Sequence, residues 1–162
     1  MDKKVKYRKH KNKCEIFDWT DKEYIISRVQ EEPQLDENKI LKYLKSGNVF
    51  SGGLGIIHDV FDKDFDKYQE AYDAIFVLEK DGVYKEESKK YYKICEEIKI
   101  EKYTLGPNNF TDGEWCWDSV LIYYIENYHF RISDEFCLHI ETKNWNCPQL
   151  SIKEIEKFCK RY

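Results

Sequence analysis

Apolar residues fall into short runs along the chain, and each run is bounded by a turn or cap signal. Tyr24, Ile25, Ile26 and Val29 follow Thr20-Asp21-Lys22-Glu23, which has the form of a capping box; the β-branched run suits a short helix or a strand, and Pro33 ends it. Ile40, Leu41 and Leu44 recur at helical spacing after Asp36 and before Gly47. That pattern predicts a helix over about 37–46, with Asp36 as N-cap and Gly47 as C-cap. From 48 to 61, Val49-Phe50 and Ile56-Ile57 flank Gly52, Gly53 and Gly55, which predicts two short strands or one strand with a bulge. Asp81-Gly82 between Ala74–Leu78 and Val83-Tyr84 signals a hairpin, and Glu86–Ile98 returns to helical spacing. Residues 99–117 read as β, broken by Gly106-Pro107-Asn108-Asn109 and by a turn at Asp112-Gly113; Trp115 and Trp117 then share a face. Three helices follow: one capped by Asp118 (Val120, Leu121, Tyr124, Ile125, Tyr128), one capped by Ser133, and a last one opened by the Ser151–Glu154 capping box beyond Pro148.

The sum is an α+β fold: a single domain with a small antiparallel or mixed sheet, several helices and a helical C-terminal part. The boundaries are a basic flexible tail over 1–13 and one α+β domain over 14–162. With 7 Gly and 3 Pro, no flexible linker interrupts that domain. Aromatic residues make up 16% of the 162, enough to build a core despite 36% charged residues. No apolar run approaches the roughly 20 residues that span a bilayer, and the basic start is not followed by a signal-type apolar stretch. A cytoplasmic location is therefore expected, with Cys14, Cys95, Cys116, Cys137, Cys147 and Cys159 all reduced.

Charge divides unevenly. Residues 1–13 hold seven of the 27 bases and one of the 31 acids, leaving twenty bases against thirty acids in the body, a balance of −10. Such a body repels phosphate backbones and attracts basic proteins, so nucleic acid is not expected as a partner. Only the tail could contact nucleic acid, as a regulatory module would.

Catalytic patterns fail in turn. Gly53-Leu54-Gly55 reaches His58 where a dinucleotide loop needs its third glycine, and no Gly-Lys-Ser/Thr is present. Cys137 and His139 stand two apart, a poor spacing for zinc on a helix, with His129 and Cys147 as the other conceivable ligands. The acids Asp59, Asp62, Asp64, Asp66, Glu70 and Asp73 lack the order of an EF-hand. His58-Asp59 is the one adjacent acid–base pair and would carry the rival reading of a small hydrolase. The chain is read as no enzyme, with no cofactor and no metal.

One group of motifs carries a family resemblance. Thr111-Asp112-Gly113-Glu114-Trp115-Cys116-Trp117, Leu121–Ile125, Tyr128-His129, Asp134-Glu135-Phe136 and His139-Ile140 resemble the TDGxWxW…YY…EFxxH tail of a group of small bacterial proteins. The upstream part of that pattern matches Tyr43-Leu44-Lys45-Ser46-Gly47 and His58-Asp59-Val60. The blocks cover about 43–60 and 111–140. Ser133 stands where a proline is common, and a long segment, about 62–105, separates the blocks. The group looks like immunity proteins found beside polymorphic or contact-dependent toxins. The resemblance implies a cytoplasmic protein that binds a cognate toxin and masks its active site; a nuclease toxin, with a basic groove, would suit an acidic partner. It transfers no catalytic residue. The acidic segment, inserted relative to the pattern, supplies the candidate contacts: Asp59, Asp62, Asp64, Asp66, Glu70 and Asp73.

Overall fold

The computed structural model describes residues 13–15, 21–52, 59–67 and 108–161. The chain divides into two compact units, residues 1–55 with 105–162, and residues 56–104. Among its described residues the first unit has four strands, β1 (Lys13–Glu15), β2 (Asn48–Ser51), β3 (Asn109–Thr111) and β4 (Trp115–Asp118), and five helices, α1 (Lys22–Arg28), α2 (Glu37–Lys45), α3 (Ser119–Tyr128), α4 (Asp134–Thr142) and α5 (Ile152–Arg161). The fold class is α+β. Of the second unit, residues 59–67 are described; the expected 74–84 hairpin and 86–98 helix lie outside the described residues.

The sheet is mixed, in the order β1-β4-β3-β2, with β1 parallel to β4 and the other pairs antiparallel. The β2–β3 register shifts between Val49 and Ser51, a bulge or irregularity within β2; Gly53, Gly55 and Ile56-Ile57 of the expected β region lie outside the described residues. Asp112-Gly113 makes the β3–β4 turn, with Gly113 at φ 96°. Trp115 and Trp117 do share a face: both rings pack on Phe136 of α4, at 4.7 and 5.6 Å between centroids. Tyr43 of α2 joins them 5.9 Å from Trp117. Cys116 turns the other way, into a cluster with Cys14 and Phe158 of α5, against which Phe50 packs. Helices therefore cover both faces of β4, and Trp115, Cys116 and Trp117 are all buried.

The helix starts follow local chemistry. The Asp118 carboxylate accepts from Leu121 N at 3.0 Å, Ser133 Oγ from Phe136 N at 3.2 Å, and Ser151 and Glu154 exchange two 3.2 Å bonds as a complete capping box. Three expectations need correction. Helix α1 is capped by Asp21, which accepts from Tyr24 N, rather than by Thr20. Asp36 is the N-cap of α2, but in a left-handed conformation (φ 59°) that makes no side-chain cap bond. Gly47 is no left-handed cap: Ser46 caps α2, and Gly47 is needed because a Cβ there would lie 2.5 Å from Trp117 Cζ2 and 2.8 Å from Phe110 Cβ.

The cysteine expectation is also overturned in part. Cys14 and Cys116 form a disulfide, whereas Cys137, Cys147 and Cys159 are free thiols and Cys95 lies outside the described residues. The pair is 102 residues apart in sequence, and only the β1–β4 register makes them neighbours, with Cα atoms 4.6 Å apart. Lys13, the end of the expected tail, is the first residue of β1. No helix among the described residues is long and apolar enough to cross a membrane.

Two outcomes follow from this packing. Gly47→Ala forces its methyl onto an aromatic ring and a Cβ, and should lower unfolding free energy by about 1–3 kcal/mol in denaturant titration. Burial pushes the Asp118 carboxyl up to about 6, against the bonds it accepts from Leu121 and Val120 N–H. A carboxyl raised in the folded state contributes stability below its unfolded value near 4, and that contribution is lost as pH rises through 6. Burial raises the Glu15 carboxyl in the same sense. Stability should therefore fall between pH 4 and 6.5, and Asp118→Asn, which keeps the cap, should flatten that slope without abolishing it.

Candidate functional site

The residues of the sequence signature converge on one carboxylate. Asp112, 4% exposed, sits in the turn between β3 and β4, where its Oδ1 accepts from Glu114 N at 2.9 Å and Trp115 N at 2.8 Å. Its Oδ2 accepts from Tyr43 Oη at 2.6 Å and from His139 Nε2 at 2.7 Å. Thr111 Oγ1 closes the same turn, donating to Trp115 O and accepting from Gly113 N. One carboxylate thus binds α2, the β3–β4 turn and α4 together. His139 also packs beside Trp115 (5.7 Å), and its Nδ1 lies 3.8 Å from Glu114, which in turn holds Lys143 at 2.8 Å.

Electrostatics follow from this enclosure. Burial, then the bond to Asp112, drives the Tyr43 phenol far above its ordinary value, so it stays a donor. Burial, then the charge of Asp112, pushes the Cys147 thiol up to about 12, and burial raises that of Cys137. Thiols held protonated are weak nucleophiles and weak metal ligands at neutral pH. A second carboxylate–imidazole pair, Glu37 Oε2 with His129 Nδ1 at 2.8 Å, joins the first turn of α2 to the left-handed C-cap of α3. Among the described residues no three His, Cys, Asp or Glu side chains gather as a metal site.

Departure from the resembled pattern also has a physical basis. Ser133 donates from its hydroxyl to Glu15 Oε1 and from its N–H, at 3.2 Å, to Glu15 Oε2. A proline there would offer neither donor and would leave a buried carboxylate on β1 unpartnered.

The acidic candidates are placed as follows. Asp59 is buried, and its Oδ1 accepts from Phe61 N at 2.8 Å. Asp62 accepts from Asp64 N at 2.9 Å, while its own N–H donates to Asp59 O. Asp62 and Asp66 are exposed and Asp64 is partly so. Glu70, Asp73 and His58 lie outside the described residues. Tyr43, Asp112 and His139 were legible as signature positions, but nothing in their spacing announces that they bond. No protein-family model, curated protein or solved structure matches this chain.

Asp112→Asn replaces an acceptor of four bonds with a group that presents an amide to Tyr43 and His139. It should cost about 1–3 kcal/mol of stability. With Tyr43→Phe the double variant should lose less than the sum of the two, a coupling that denaturation of all three variants reads directly.

Proposed function

We propose that this chain is an immunity protein: it binds a cognate bacterial toxin in the cytoplasm and masks the toxin's active site, acting by binding and not by catalysis. One observation carries the reading. The signature residues Tyr43, Asp112, Trp115, Trp117 and His139 are spent on one another inside the fold, so the shared pattern describes a scaffold, and scaffold-level resemblance is what a binding family with divergent partners would retain. The acidic body supplies the chemistry for a basic partner. Asp62 and Asp66, at the surface of the 59–66 turn, remain the candidate contacts, with Asp64 beside them. A nuclease toxin fits this charge best. Neither a cofactor nor a membrane enters the proposal.

Co-expression with the toxin encoded beside the gene tests it. Protection of the cells and a one-to-one complex are the expected results; no protection and no complex would sink the reading. Association should slow as salt rises, and Asp62→Lys with Asp66→Lys should reduce the association rate on the order of tenfold at low salt. An unchanged rate would move the contact off this turn.

A further inference from the structure

We infer that Trp145 and Asp36 form a docking site for a cationic side chain, an arginine of a basic protein partner, and that Lys39 fills it as an internal stand-in which that arginine displaces. The partner rests on the toxin-binding reading above; the chemistry of the site stands on its own geometry. Lys39 Nζ lies 5.4 Å over the centroid of the Trp145 ring, within reach of a cation–π contact, and 3.5 Å from Asp36 Oδ1. An indole face on the α4 exit and a carboxylate at the start of α2 thus converge on one ammonium. The chain itself shows which charge the site takes.

The backbone that builds the site is unusual. Of the non-glycine residues at positive φ among those described, three meet here: Asp36 (59°), Asn144 (53°) and Trp145 (61°). Asn144 closes α4, its N–H donating to Glu141 O at 2.9 Å, while Trp145 N–H donates to Ile140 O at 3.2 Å. Aspartate and asparagine tolerate the left-handed region. A bulky tryptophan does not, and glycine would be the unstrained choice. Nor is this a core residue, since the Trp145 side chain is half-buried. Strain kept at a partly exposed aromatic points to a task outside the core. Lys39 is a weak occupant: its side chain is 59% exposed, and surface ion pairs of this kind contribute little. An arginine fits better, because a guanidinium is planar, stacks on an indole, forks onto a carboxylate and is less strongly hydrated than an ammonium. Leu35, the neighbour of Asp36 in the chain, stands 86% exposed and gives the partner apolar surface at the same turn.

Affinity of the full chain for the toxin encoded beside the gene tests the site, with thermal melting of each variant to check folding. Trp145→Leu and Asp36→Asn should each weaken the complex on the order of tenfold. Asp36 makes no side-chain cap bond, so Asp36→Asn removes the charge without uncapping α2. Lys39→Ala should tighten the complex, because the internal competitor is gone. Lys42→Ala makes the same charge change at an exposed position of the same helix and should tighten it far less. Should Trp145→Leu fail to fold, Asp36→Asn and the two lysine variants carry the test. A complex indifferent to the Trp145 and Asp36 changes, or tightened no more by Lys39→Ala than by Lys42→Ala, overturns the site and leaves the toxin reading standing. If the unaltered chain forms no complex, both fall.

Discussion

A buried carboxylate is costly unless both oxygens are occupied, and Asp112 meets that demand with donors from three parts of the chain. Two backbone N–H groups set the turn between β3 and β4. The Tyr43 phenol brings in α2, and the His139 imidazole brings in α4. With the turn held, β4 leaves it in a fixed register, so Trp115 and Trp117 point at Phe136 and Cys116 points at Cys14. Trp117 then donates its indole N–H to Leu44 O at 3.0 Å and occupies the space that only a glycine at 47 leaves open. Asn48 extends the same order outward, its side chain bonding Thr111 O, Pro148 O and Leu150 N, which leads the chain into α5.

This arrangement shapes the functional reading. In the proposed immunity role, signature residues locked to one another build the frame, and recognition falls to surfaces that packing does not dictate. Polar residues in the frame are interior braces, and the raised thiols of Cys147 and Cys137 fit that role. The acidic turn of residues 59–66 belongs to the other compact unit, with Asp59 folded inward and Asp62 and Asp66 outward. The Cys14–Cys116 bond joins β1 to β4 covalently within that frame.

Helix starts were legible where a single side chain decides them. Asp118, Ser133 and the Ser151–Glu154 pair each satisfy N–H groups within three residues, so local sequence suffices. Legibility fails where a residue answers to a distant partner. Gly47 looks like a helix terminator yet is small because Trp117 needs the room. Cys14 looks like an ordinary thiol just beyond a basic tail until β1 lies beside β4.

The sequence by itself determined the α+β class, the placement of α2 through α5 to within a residue or two, the shared face of Trp115 and Trp117, and an acidic body behind a basic start, because those features depend on neighbours a few positions away or on composition alone. Tertiary structure decided the rest: the bonds of Asp112 to Tyr43 and His139, the glycine at 47, the Glu15–Ser133 contact and the disulfide. Each brings together residues tens of positions apart, and only folding brings their atoms into contact.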